Sequence, residues 1–218
     1  MLVGMATPAA TERDRRSPAK HAAILKAATE VFLREGYARA SVDAIAEAAG
    51  VGKQTVYGHF GDKQRLFLAV VEEANNANGG APHELASLIT DTGSPRADLE
   101  AAAARLVRGI TAPDVAALHR LTIAEMAHHP ELQRSWRDSG RTQDVIAVIA
   151  GYLAECDRRG ELTVPDPATS ARQFVMLLSV EAQVRSLRGL EPLSKREVGD
   201  IARDTADLIV RAHRPQLS

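Results

Sequence analysis

Cysteine is almost missing from this 218-residue chain: Cys156 stands alone and has no partner with which to close a bridge within the chain. A disulfide framework and a cysteine-built zinc site are thereby excluded, and a reducing, cytoplasmic setting is the expectation. Long apolar runs are missing too. None approaches the roughly 20 residues that cross a bilayer, and the first residues lack the short hydrophobic core of a signal peptide, so no membrane partner is expected. Beyond Pro82 there is no alternating pattern of the kind a half-buried strand requires. The nucleophile elbow G-x-S-x-G and the phosphate loop G-x-x-x-x-G-K-[ST] do not occur either, and neither an enzyme nor a cofactor is anticipated.

Excess charge is also lacking. The net charge of -1 gives no general attraction for nucleic acid. Its distribution is uneven, however: from Arg13 to Arg65 ten Lys or Arg face six Asp or Glu, whereas the remainder is acidic. A basic end on an acidic body suits a protein that turns one end toward DNA.

What the sequence does contain is a compact signal between Ser41 and Lys63, SVDAIAEAAGVGKQTVYGHFGDK. Apolar residues fall at helical spacing in two blocks, Val42, Ile45, Ala46 and Ala49, then Val56 and Phe60, with Gly50 between them. Ser41 suits an N-cap and Gly50 a sharp corner, so the stretch reads as a helix-turn-helix. The second helix then carries Lys53, Gln54, Thr55, Tyr57 and His59 on its outer side and first turn. These side-chain types reach phosphates and base edges from the major groove. Lys53 and Lys63 are expected to neutralise phosphates, Gln54 and Thr55 to meet bases, and Tyr57 and His59 to bond the DNA backbone. Ser41 completes the candidate DNA-binding set.

The run from Ile24 to Glu73 resembles the DNA-binding domain of the TetR family of transcriptional repressors along its whole length. The resemblance is carried by Phe32, Gly36-Tyr37, Ser41, Ile45-Ala46, Ala49-Gly50-Val51, Thr55-Val56-Tyr57, His59-Phe60, Lys63 and Leu66-Phe67. It implies an all-α homodimer, with an N-terminal three-helix DNA-binding domain and a C-terminal helical domain that binds a small effector and releases DNA. Gly58 departs from the pattern, standing in the reading helix where relatives often carry a larger side chain. It costs that helix about 1 kcal/mol relative to Ala.

In chain order, residues 1–16 read as a disordered arm whose Arg13, Arg15 and Arg16 scan phosphates, 17–63 as the helix-turn-helix domain, and 64–218 as the effector-binding and dimerisation domain. Ser17-Pro18 opens the first helix and Gly36 ends it. A fourth helix from Lys63 runs to the breaker NNANGG at 75–80 and is expected to transmit displacements. Helices are predicted over about 82–91, 95–110, 113–128, 130–159, 167–189 and 194–213. Asp166 caps one of them, and Ser194 with Glu197 forms a capping box flanked by Leu193 and Val198.

The last two helices carry stripes that include Leu177 and Val184 on one and Ile201, Thr205 and Leu208 on the other. They are read as a four-helix interface between two copies, as the resemblance also implies. Phe67, His119, Arg120, Met126, Trp136, Tyr152, Phe174 and Met176 are the candidate effector-lining residues. Two rival readings stand beside this one. Glu125 and His128 form an E-x-x-H pair of the kind helical di-iron enzymes use, without the second copy such a site needs. Alternatively, the same fold serves as an activator, or as a DNA-binding protein without an effector.

Overall fold

The computed structural model describes residues 17–130, 134 and 141–215, and all regular structure among them is helical. The arm 1–16 and Trp136 therefore lie outside the described residues. Two compact units divide between Val71 and Glu72, beyond the boundary at Lys63 that the sequence suggests.

In the first unit, α1 (Pro18–Glu35) begins at the expected proline, although the Ser17 side chain makes no capping bond. Its buried stripe is Ile24, Leu25, Ala27, Ala28, Val31 and Phe32. Helices α2 (Val42–Ala48) and α3 (Lys53–Phe60) follow, then α4 (Lys63–Asn75). Leu66, Phe67 and Val70 of α4 are fully buried, which explains where the division falls. The Phe67 ring meets Phe32 and Tyr37 edge-on, with centroids 5.1 Å apart in both cases. Such contacts add about 0.5–1.5 kcal/mol each to the burial of the rings. Phe67 is thus core of the first unit, where an effector-lining residue was expected.

In the second unit, the breaker after α4 forms a π-turn, Asn76–Gly80, with non-helical backbone at Asn78 and Gly79. The next helix, α5 (Pro82–Ala86), is shorter than expected because the chain turns at Ser87, whose hydroxyl bonds the Glu84 carbonyl. Then come α6 (Pro95–Ile110), α7 (Pro113–Met126), α8 (Arg141–Arg158), α9 (Pro167–Arg185) and α10 (Lys195–Ala212). The helix expected over 130–159 is described from Arg141 onward. Asp166 accepts from the Thr169 amide at 2.9 Å, and Ser194 and Glu197 close the predicted capping box. The core is shared chiefly by α6, α8, α9 and α10, with Leu99, Ile149, Leu153, Phe174, Leu178 and Ile201 fully buried or nearly so. Cys156 lies among them, its thiol pushed up by burial, as a small buried hydrophobe.

Helix α9 ends at Arg185 and not at 189, because Leu187, Arg188 and Gly189 take left-handed backbone in succession, with φ of 47°, 57° and 80°. A Cβ at Gly189 would collide with Ala116 of α7, so the close approach there requires glycine. Arg120 of α7 donates to the Arg188 carbonyl at 2.6 Å and holds the turn in place.

One buried carboxylate organises the start of α6. Asp98, only 3% exposed, accepts from the Thr92 hydroxyl at 2.5 Å, the Thr92 amide at 3.0 Å and the Tyr152 hydroxyl at 2.7 Å. Burial alone would raise its pKa, but the bonds from Thr92 and Tyr152 outweigh it and hold the carboxyl below its ordinary value. Its stabilising contribution is therefore complete above about pH 4 and is lost as pH falls through the lowered value. Tyr152→Phe should lower unfolding free energy by about 1–3 kcal/mol in urea titration. Asp98→Asn should lower stability at neutral pH and flatten the acid limb of the stability profile below pH 4.

Candidate nucleic-acid interface

The geometry of the reading helix is set by the corner before it. The Ser41 hydroxyl accepts from the Ala44 amide at 3.1 Å and starts α2, which buries Val42, Ile45 and Ala46. The chain reverses at Gly50, at φ 65°, where a Cβ would meet nothing within 4 Å. Glycine is needed there for its backbone conformation, not for room. The Val51 amide returns to the Ala46 carbonyl at 3.0 Å, and the Thr55 amide bonds Gly52 at 2.8 Å to open α3. With Val56 and Phe60 locked inward, Lys53, Gln54, Tyr57 and Gly58 are exposed and Thr55 is half-buried. Tyr57 leaves 43% of its surface open. An exposed aromatic beside an amide and an ammonium presents a stacking face together with donors and an acceptor.

Two residues expected on this face are placed differently. His59 is half-buried on the inner flank of α3, its ring 5.7 Å from His21 of α1 and 6.0 Å from Phe60, so it braces α3 against α1. Lys63 donates to the carbonyls of Tyr37 at 2.8 Å, Ala40 at 3.1 Å and Ala38 at 3.3 Å, and its ammonium stands 4.6 Å from the Tyr37 ring centroid. Three donors meet three carbonyls of the α1–α2 connection, which makes this lysine a clasp where a phosphate contact was expected.

Asp43 was missed by the sequence reading. Its carboxylate accepts from Lys53 Nζ at 2.8 Å, joining the first turn of α2 to the first residue of α3. That hydrogen bond, and then the carboxylate's charge, pushes the Lys53 ammonium further above its ordinary pKa. The two are ten residues apart on different helices, so no local periodicity announces the pair.

The second unit disperses the candidate effector residues. Phe174 is fully buried core, Tyr152 is buried and tied to Asp98, and Met176 is exposed, so these three do not line one cavity wall. His119, Arg120 and Met126 are half-buried on α7. His119 is pushed below its ordinary pKa by burial and then by the Arg188 charge, while Arg120 is engaged with the Arg188 carbonyl. Glu125 lies 3.6 Å from His129, one residue beyond the His of the E-x-x-H pair, and His128 is exposed. Among the described residues no three His, Cys, Asp or Glu side chains converge.

The expected interface residues also separate. Ile201 and Thr205 are buried within the unit, whereas Leu177, Val184 and Leu208 are exposed. Val180, Leu187 and Leu190 are exposed as well and were not anticipated.

Residues 24–70 match the family model for the DNA-binding part of bacterial regulatory proteins of the tetR family. Residues 97–215, more than half of the chain, match the C-terminal domain of AefR-like transcriptional repressors. The chain belongs to the TetR family of transcriptional regulators. It is 30% identical over 167 residues to the transcriptional repressor BepR of Brucella suis, covering 72% of this chain and 75% of that one. It is also 39% identical over 79 residues to the transcriptional activator FasR of Mycolicibacterium smegmatis, where the match spans only 36% of either chain. A TetR-family regulator from Mesorhizobium loti superposes with a TM-score of 0.73 at 28% identity, over 91% of this chain and 98% of that one. The flavonoid-responsive regulator FrrA shares the fold, at a TM-score of 0.74 and 24% identity over 92% and 100%. Among the described residues no helix is long and apolar enough to cross a membrane.

Replacing Lys63 by Met should lower unfolding stability by about 1–2 kcal/mol, since three carbonyls lose a charged donor at a partly exposed site. The salt dependence of DNA binding should stay close to that of the parent protein, as read from binding titrations at several salt concentrations.

Proposed function

We propose that this TetR-family regulator is a homodimeric repressor that holds a pseudo-palindromic operator and leaves it when a small, largely apolar molecule occupies the second unit. The observation that carries the reading is the outward face of α3, where Lys53, Gln54 and Tyr57 are presented by a helix whose other side is locked by Val56 and Phe60. Paired copies would enter successive major grooves roughly 34–36 Å apart. The protein acts by binding and does no chemistry on its effector.

Pairing is supported by the outer face of α9. Leu177, Val180 and Val184 repeat at intervals of three and four residues, and Val180 and Val184 are 59% and 66% exposed. Leu187 and Leu190 follow as further exposed apolar residues past the helix end, and Leu208 of α10 is exposed as well. An apolar ridge at coiled-coil spacing is what a second copy would cover in an isologous four-helix contact. The ion pairs Glu181–Arg185 and Asp207–Arg211 would form its polar rim.

For the effector, the favoured lining is the α7 face carrying His119 and Met126, which stand two turns apart and are half-buried. A repressor is favoured over an activator by the extent of the matches. The likeness to the activator FasR covers about a third of either chain, whereas the match to a repressor C-terminal domain covers residues 97–215.

Selection from a randomised duplex pool should recover a site with two inverted half-sites one helical turn apart. Recovery of unrelated sequences would refute the reading. Gln54→Ala should weaken the preference at particular positions of that site by about tenfold, corresponding to 1–3 kcal/mol for a well-made base contact. The double variant Val180→Glu, Val184→Glu should sediment as a folded monomer, because both side chains lie outside the unit's own core.

A further inference from the structure

The start of α3 is electrostatically unusual. A helix N-terminus is its positive end and favours acidic side chains in the first turn. Here the first turn contains no acidic residue, the N-cap is Gly52 with no side chain to offer, and the first residue is a lysine. The negative charge comes instead from Asp43, whose carboxylate reaches across from α2 to Lys53 Nζ at 2.8 Å. Both side chains remain open to solvent, at 50% and 67% exposure, on the side of the motif that also presents Gln54 and Tyr57.

A solvated lysine at a groove is ordinarily a point charge on a flexible stem, drawn to whichever phosphate is nearest, and it carries little sequence information. A carboxylate partner changes this in two ways. The pair has no net charge, so its attraction for phosphate is much reduced. One of the three ammonium donors is also taken by Asp43, which fixes the direction of the other two. Two adjacent donors held in one direction match the O6 and N7 acceptors that guanine presents in the major groove, and they do not match the donor that cytosine presents there.

We propose that Asp43 is a specificity-determining positioning residue, which turns Lys53 from a phosphate contact into a reader of guanine. The inference rests on the DNA-binding reading above. Asp43 itself touches no base in this scheme. Its effect passes through Lys53, and that dependence is what separates it from a merely stabilising ion pair.

The test uses the full-length protein, the consensus duplex it selects from a randomised pool, and the single-base variants of that duplex. Affinities are measured at several salt concentrations for the parent, Asp43→Asn, Lys53→Met and the double variant. Asp43→Asn should lose about tenfold of the preference for G·C at one position in each half-site. Its affinity for random DNA should rise, and the slope of log K against log salt should steepen by about one for each Lys53 released to a phosphate. Lys53→Met should lose the same preference without steepening, and adding Asp43→Asn to it should change nothing further. Thermal melts check that Asn at position 43 leaves the fold intact.

The inference is overturned if Asp43→Asn binds more tightly to all sequences alike with the base preference retained, for then the carboxylate only competes with phosphate. It is overturned equally if the preference survives Lys53→Met, or if the two substitutions act additively. A parent protein that selects no sequence at all overturns the DNA-binding reading and this inference together. Selection of a half-site whose preferences ignore Asp43 overturns this inference alone.

Discussion

The reading face depends on one backbone corner. Gly50 turns the chain at a positive φ, and the Val51 amide closes on the Ala46 carbonyl. This fixes the rotation of α3 about its own axis. If α3 were rotated by one residue, about 100°, Val56 and Phe60 would leave the core and the set of exposed side chains would change with them. Most L residues at Gly50 would pay the left-handed penalty of about 1–2 kcal/mol, so the motif rests on a position where the side chain itself touches nothing. The rest of the unit serves that corner. The cluster of Phe32, Tyr37 and Phe67 ties α1 to α4, and Lys63 draws the α1–α2 connection down onto α4 by binding three of its carbonyls.

The parts legible in the sequence are those in which the signal is local. Capping by Ser41, Asp166 and Ser194, the helix-starting prolines, and the inward positions Ile45, Val56 and Phe60 each follow from residues within a turn or two of one another. What was not legible joins residues that are distant in the chain. Lys63 looks like any cation beside a DNA motif until the Tyr37, Ala38 and Ala40 carbonyls are placed around it. Asp43 and Lys53 belong to separate helices, and the half-buried ring of His59 stands beside His21 of α1, far back in the chain. On α9 the apolar spacing left the inward direction open for another reason. A helix with apolar residues on two faces has no single inward direction, so Phe174 and Leu178 cannot be told from Leu177 and Val184 by spacing alone. Ile201 and Thr205 share this ambiguity: spacing alone allows them to face outward, and it is the packing of α10 against α6 that buries them.

Within the second unit, the surface proposed to meet a second copy and the helix proposed to meet the effector are joined by a short, stiff element. The turn Leu187–Gly189 continues directly from α9 and is fastened to α7 by Arg120 and by close contact with Ala116. Two of its residues carry side chains in left-handed backbone, which costs of order 1 kcal/mol or more at each and persists only where surrounding contacts hold it. A displacement of α7 that lengthened the Arg120 bond would remove one of those contacts and let the turn relax. Relaxation there would shift the apolar ridge that begins immediately before it. On the proposed reading an effector seated against α7 would need no long pathway to alter the pairing surface, since the Arg120 bond and the close contact at Gly189 join the two.

The charge pattern bears on why pairing would matter so much to this regulator. In the first unit Arg34, Lys53 and Arg65 each lie within ion-pair distance of a carboxylate, and Lys63 is engaged by carbonyls. Cations already engaged gain less from a phosphate, so the sequence-independent part of DNA affinity contributed by these residues is small. In the proposed scheme discrimination would rest on polar contacts from Gln54, Tyr57 and the Asp43-held Lys53, and a few such contacts from one copy would give only modest affinity. Linking two copies makes the second docking event intramolecular, which multiplies affinity for a properly spaced double site while leaving isolated half-sites weakly bound. A reading face whose nearest cations are already engaged and an apolar pairing ridge would then be complementary features. On the proposed reading the first would keep the protein off random DNA, and the second would let a matched operator hold it until a change in the pairing geometry released it.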